Sequence, residues 1–262
     1  MRPGGVPPLS KPAPRVLVVQ HSADDPSGLV GRELLLAGCT IDVVRCHLEE
    51  EQPPSLSGYA GLVVLGGDMG AYDDADYPWL TRTKDLLREA VERDVATLAI
   101  CLGHQLLAVA AGGEVARAPI PQRGLVPVGR SAEAGSDRLF GAFGDRNASA
   151  IHWNNDVVVT APQDSVLLAS SGAGIQALRL RSQVYGVQFH PEVDLKTVTG
   201  WAAHDIAAGH LSPEEARERL AEIAAAATEQ EKQWSAFADR FARLLRDEVP
   251  LTRGSMSHDI GG

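Results

Sequence analysis

Val95-Ala96-Thr97-Leu98-Ala99-Ile100-Cys101-Leu102-Gly103-His104-Gln105-Leu106-Leu107 is an apolar run of strand length that ends on a cysteine, after which apolar residues return at helical spacing. Ala96 to Ile100 has the character of a buried parallel strand and Leu102 to Ala111 that of a helix, so Cys101 is the elbow between them. Gly103 is expected to supply the permissive backbone of so sharp a turn. Unpaired N–H groups and the positive end of the following helix favour an anion there, which would activate the sulfur. The other reading of an unpaired cysteine is a small, inert, buried hydrophobe.

Working outward, a second run bears on that choice. Val184-Tyr185-Gly186-Val187-Gln188-Phe189-His190-Pro191-Glu192-Val193 is an apolar strand ending in an imidazole, a proline and a carboxylate. Side chains alternate along an extended segment, so His190 and Glu192 emerge on one face. Pro191 cannot donate to a ladder and marks the end of the strand. A thiol, a histidine that moves its proton and a carboxylate that fixes the imidazole make a nucleophilic triad. Taken alone, His190 is more often a capping or salt-bridged histidine.

Between and before these runs, strand and helix alternate. Val16-Leu17-Val18-Val19-Gln20 and Ile41-Asp42-Val43-Val44 read as strands around a helix from Leu29 to Ala37. Leu62 to Leu65 is a strand feeding the turn Gly66-Gly67, and a helix follows from about Trp79 to Arg93. This order predicts an α/β fold, a doubly wound, mostly parallel sheet flanked by helices. Such sheets carry their sites at the carboxyl ends of strands, where Gly66, Cys101 and His190 all fall. Gln122 to Arg181 reads as shorter strands and turns, an antiparallel excursion before the last parallel strand.

The elbow, the Gly186-Val187-Gln188-Phe189-His190-Pro191-Glu192 run and Leu62-Val63-Val64-Leu65-Gly66-Gly67-Asp68-Met69-Gly70, in this order, resemble the class I glutamine amidotransferase family. The resemblance covers about residues 15 to 193. It implies a flavodoxin-like sheet and a cysteine-dependent hydrolase in which Cys101 attacks a γ-glutamyl amide, His190 moves the proton and Glu192 holds the ring. It implies an oxyanion hole from the backbone N–H groups of Gly67 and Leu102, and glutamyl contacts from Gly66 and Gln105. In relatives, a loop carrying a histidine grips the substrate. Here it reads Ile151-His152-Trp153-Asn154-Asn155-Asp156, which places His152, Trp153 and Asn154 among the substrate contacts and departs from the common wording. For Trp153 a core or rim aromatic is the equal alternative. His104 is rotated away from the cleft and is assigned no catalysis.

Composition sets bounds on function. The chain has 262 residues, 44% of them hydrophobic, enough to bury one full core. A net charge of −10 disfavours nucleic acid and anionic membranes as partners. Three cysteines, with Cys39 and Cys46 lacking the spacing of a zinc site, point to a reducing, cytoplasmic setting and to no metal. No run of about 18 apolar residues or secretory leader is apparent. No organic cofactor is implied.

The organisation expected is a Pro/Gly-rich disordered arm at 1–14, the amidotransferase-like domain at 15–200, a helical extension at 201–250 and a disordered tail at 251–262. The extension reads as three helices, Leu195 to Ala208, Ser212 to Ala226 and Glu229 to Arg246, the second capped by Ser212. Trp234, Phe237 and Phe241 form a stripe that suits packing on the domain better than a dimer surface. No phosphate-binding G-x-x-x-x-G-K-[ST] loop occurs, so an ammonia acceptor would be another chain. The reading favoured is a stand-alone γ-glutamyl amide or peptide hydrolase acting on a small molecule. Its alternatives are a glutaminase subunit with a separate synthetase partner, or a non-catalytic binding or regulatory protein. A homodimer also stays open.

Overall fold

The apolar runs that lack polar alternation become the strands buried on both faces. The computed structural model describes residues 12–142 and 148–246. Its elements run β1 (Arg15–Gln20), α1 (Gly28–Leu36), β2 (Thr40–Arg45), β3 (Gly61–Val64), α2 (Trp79–Arg93), β4 (Ala96–Ile100) and α3 (Leu102–Ala110). They continue with β5 (Glu114–Pro127), β6 (Ser149–Thr160), β7 (Val166–Ser171), β8 (Gly174–Leu180), β9 (Val184–Val187), α4 (Leu195–Ala207) and α5 (Pro213–Leu244). The expected arm at 1–14, apart from residues 12–14, and the tail at 251–262 lie outside the described residues.

One sheet results, in the order β2-β1-β3-β4-β9-β8-β6-β5, with β7 on β8. The first five strands of that order are parallel and the others antiparallel. Val16, Val18, Val63, Leu98 and Ile100 pack beneath Val30 and Leu34 of α1 and Trp234, Phe237 and Phe241 of α5. Leu17, Val19, Leu62, Val64 and Ala99 face α2 and α3 on the opposite side. The alternation is the period of two of a strand, read by helices on both faces.

Three expectations change. The chain from 213 to 244 is one helix of 32 residues, not two. The Ala224 to Thr228 stretch contains no glycine or proline to end it, and Ser212 and Glu215 form a reciprocal cap at its start. The antiparallel part begins at Glu114, earlier than expected, and β5 is long despite Pro119 and Pro121. It is an edge strand whose register shifts between Arg117 and Gln122, which is where prolines are tolerated. Third, Ile151 to Asp156 belongs to β6 and is not a loop. Residue 200, where the sequence suggests a boundary, lies within α4.

Three histidines inside this core are held neutral. Burial pushes His21, His104 and His152 down to about 4. Their unfolded forms titrate near the ordinary value of about 6.5, so between these two values the unfolded chain binds more protons and stability rises with pH. Asp25, which burial pushes up to about 7, offsets roughly one of the three across that window. The urea midpoint is therefore expected to fall steadily as the pH is lowered from about 6.5 towards 4. A midpoint that stays level over that interval would contradict the buried, neutral state of these rings.

Candidate functional site

The carboxyl ends of β3, β4 and β9 meet around Cys101. Its backbone sits at φ 50° and ψ −106°, a strained conformation for a residue with a side chain. The strain is held from both sides. Cys101 N–H donates to the carbonyl of Val187 on β9 at 2.8 Å. Behind the elbow, a Cβ at Gly103 would lie 2.3 Å from the carbonyl oxygen of Val64. Gly103 has no positive φ, which corrects the expectation that it supplies the permissive turn. Cys101 carries the unusual dihedral, and Gly103 lets α3 seat directly on β3.

Cys101 is 6% exposed and opens on a cavity of about 590 Å³. His190 follows β9, and its N–H donates to the carbonyl of Ile151 at 2.8 Å. The His190 Nδ1 and Glu192 Oε1 atoms are 2.7 Å apart, both side chains being nearly fully buried. The imidazole also interacts electrostatically with the Cys101 sulfur. Burial alone would lower its pKa. The charge of Glu192, the influence of the nearby sulfur and the hydrogen bond to Glu192 outweigh burial and hold His190 well above the usual imidazole range. A sulfur, an imidazole and a carboxylate set in this order at a helix N-terminus can carry nucleophilic chemistry.

Glu192 is fixed by its main chain. Its carbonyl accepts from Leu29 N–H at 2.8 Å, and a Cβ on Gly28, which has φ +40°, would fall 2.1 Å from that oxygen. Only glycine fits there. Opposite His190, the N–H groups of Gly67 and Leu102 donate to no acceptor among the described residues, and both residues line the cavity. Gly66 lies under the imidazole, where a Cβ would be 3.2 Å from His190 Cε1.

Of the expected substrate contacts, Gln105, Trp153 and Asn154 line the cavity. Gln105 Nε2 donates to the Asp156 carbonyl at 2.9 Å and to Gln188 Oε1 at 3.3 Å. Asn154 Nδ2 donates to the same carbonyl at 3.2 Å, while its buried Oδ1 has no partner. The His152 side chain is not brought to the cavity. Its Nε2 meets Gln176 Oε1 at 2.9 Å on the far face of β6, next to Phe189. His104 is fully buried against Ile175.

Several groups at the site carried no expectation from sequence. Gln188 Nε2 approaches the Cys101 sulfur at 3.5 Å. The period of two already placed Gln188 on the face of His190 and Glu192, so that signal was available. Trp201 of α4 packs its ring 4.6 Å from the His190 ring. Asp205 ties α4 down, accepting from Arg123 Nε at 2.6 Å and Trp153 Nε1 at 3.1 Å. Asp25 is buried on the cavity wall. No sequence signal separated these three from surface residues. Among the described residues no cluster of His, Cys, Asp and Glu could hold a metal ion, and no helix is long and apolar enough to cross a membrane.

Comparison with known proteins gives the family and the fold. The family model described as glutamine amidotransferase class-I matches residues 26–201. A protein named gamma-glutamyl peptidase 4 of Arabidopsis thaliana is 30% identical over 173 residues, 64% of this chain and 67% of its own length. A glutamine-hydrolyzing GMP synthase subunit from Methanocaldococcus jannaschii is 31% identical over 166 residues, 63% of this chain and 81% of its own. The crystal structure of a glutamine amidotransferase from Thermotoga maritima superposes with a TM-score of 0.77 at 23% identity, covering 87% of this chain and 98% of its own, a likeness of fold.

Replacing Gly103 by Ala would force α3 away from a main-chain carbonyl that cannot yield. The expected result is a stability loss of about 1–3 kcal/mol, with a larger proportional fall in turnover because the elbow moves. Thermal denaturation and steady-state kinetics on the same preparation check this. Full activity in the alanine variant would show that the contact does not position Cys101.

Proposed function

The chain belongs to the glutamine amidotransferase class-I family, and on that premise we propose that it hydrolyses γ-glutamyl amide bonds through a thioester on Cys101. The observation that carries the reading is the buried His190, bonded to Glu192 and within electrostatic reach of the Cys101 sulfur, at a cavity where the N–H groups of Gly67 and Leu102 have no acceptor among the described residues.

The sulfur adds to the amide carbon, and the carbonyl oxygen takes the negative charge, where the N–H groups of Gly67 and Leu102 receive it. His190, protonated at this stage, gives its proton to the departing nitrogen, and the C–N bond breaks to leave the thioester and a free amine. The now neutral imidazole takes a proton from water as that water adds to the thioester. Collapse expels the sulfur, releases glutamate and restores the imidazolium. Glu192 does not carry the proton; it fixes the ring and stabilises its charge.

Gln105, Trp153 and Asn154 hold the glutamyl group in this reading. The unpartnered Oδ1 of Asn154 is an acceptor suited to an α-ammonium. Gly66 contributes by leaving room for His190, and His152 by bracing β6 from behind. A cavity of about 590 Å³ lies in the range that encloses a drug-sized ligand, more than glutamine alone requires. That favours a larger amide and a stand-alone hydrolase. A second reading is a glutaminase that passes ammonia to a separate synthetase chain, supported by the similarity to a protein named as part of a GMP synthase.

Cys101→Ala is expected to abolish glutamate release from a panel of γ-glutamyl amides with the fold intact. Mass spectrometry of the wild type mixed with a good substrate should find a glutamyl adduct on Cys101. Undiminished turnover in the variant removes Cys101 from the mechanism. Glu192→Gln should lower kcat less than His190→Ala does, and equal rates for wild type and Glu192→Gln would deny the carboxylate its role. A glutaminase that stays silent until a second protein is added selects the synthetase-partner reading.

A further inference from the structure

Asp25 lies in the connection between β1 and α1. It is only 5% exposed, yet it lines the same cavity as Cys101, and its carboxyl group makes no hydrogen bond or ion pair among the described residues. A carboxyl taken out of water without a partner is costly, so its presence here calls for something that the cavity receives. Burial, and then the neighbouring negative charges of Glu192, Asp68 and Asp24, push it up to about 7 against the opposing pull of His190. The loop is not free to turn the group away, because Gly28 and Leu29 clamp its far end onto the main chain of Glu192.

Its place relative to the chemistry is defined. A Cβ at Gly66 would lie 3.2 Å from His190 Cε1 and 3.6 Å from Asp25 Oδ1, so imidazole and carboxyl flank one point. Trp201 covers the imidazole on this side, and its indole N–H donates to the Asp24 carbonyl at 3.3 Å. Gln105 and Asn154 are joined through the Asp156 carbonyl, a separate group of contacts. Because His190 must reach the departing nitrogen, the substituent on that nitrogen lies on the His190 side, among Asp25 and Trp201. The two arginines of the cavity are engaged elsewhere, Arg123 with Asp205 at 2.6 Å and Arg117 with Asp156 at 3.7 Å. Among the described residues no lysine or arginine side chain neutralises Asp25.

Resting on the hydrolase reading above, we propose that the amine half of the substrate carries a second, cationic amino group, held between the Asp25 carboxylate and the Trp201 indole. The substrate class is thus a γ-glutamyl diamine or polyamine. A carboxylate supplies a charge-assisted hydrogen bond to the ammonium, and the indole face supplies a cation–π contact.

The test uses the full chain and two amides of matched shape, γ-glutamyl 4-aminobutylamide and γ-glutamyl pentylamide, in which a methyl group replaces the ammonium. The wild type should favour the cationic amide by at least about tenfold in kcat/KM, mostly through KM. In Asp25→Asn that preference should collapse towards parity, while circular dichroism shows the fold retained. No preference in the wild type, or an equal loss on both amides, overturns the proposal; the equal loss would assign Asp25 to the α-ammonium of the glutamyl group instead. If the wild type cleaves neither amide, the hydrolase reading has failed, and binding decides the subsite on its own. In that case 1,4-diaminobutane should bind the Cys101→Ala protein calorimetrically and lose at least about tenfold in affinity on adding Asp25→Asn. Absence of that difference overturns the subsite as well.

Discussion

The structure turns on one constrained peptide unit, the elbow at Cys101. A residue with a side chain does not adopt φ 50° and ψ −106° unless its surroundings leave no alternative. Here two backbone contacts do so: the hydrogen bond to Val187 fixes the elbow to β9, and the glycine contact with Val64 fixes the next turn to β3. Because β3, β4 and β9 lie in parallel register, Val64 pairs with Ala99 and Ile100 with Val187. The three strand ends that carry Gly66, Cys101 and His190 are thereby level. The geometry of the elbow is thus a consequence of sheet register, and a slip in any of the three strands would undo it.

The electrostatics follow from the same closeness. Among the described residues, four fully buried histidines behave in two ways. His21, His104 and His152 face apolar surroundings or neutral acceptors, and desolvation keeps them neutral. His190 is buried as deeply, and desolvation acts on it in the same direction, but Glu192 and the sulfur are close enough to reverse the outcome. The charged ring is thus a product of its two neighbours and not of the fold's interior as such. Deep burial then strengthens the interaction that keeps it charged.

Much of this was legible in the sequence, and the reasons differ by residue. Cys101, His190 and Glu192 stood out because each follows an apolar strand, and strand ends are where a doubly wound sheet gathers its chemistry. The function of Gly103 was misread because a sequence shows that a side chain is missing but not which neighbour would occupy its place. The single helix α5 was divided by expecting a break where the pattern weakens at Ala224 to Thr228, although propensity there favours continuation. Asp25 was invisible. In Ser22-Ala23-Asp24-Asp25-Pro26 it reads as half of a polar turn, and its exposed neighbour Asp24 shows how ordinary such a turn is.

That last point separates two parts of the site by origin. The groups around the sulfur come from strand ends and the first turn of α3, positions set by register and unable to vary without loss of the elbow. The groups beyond His190 come from the β1–α1 connection and from α4, which reach the cavity through Asp25 and Trp201. These segments meet the sheet and its strand ends through the Gly28 and Leu29 contacts with Glu192, the Asp205 bonds to Arg123 and Trp153, and the packing of Val198 and Trp201 near Ile151, Trp153 and His190. Among the described residues, none of these contacts is made with β3 or β4. On the proposed reading, a scaffold arranged in this way keeps the attacking group constant and leaves the choice of amine to the connections around the sheet.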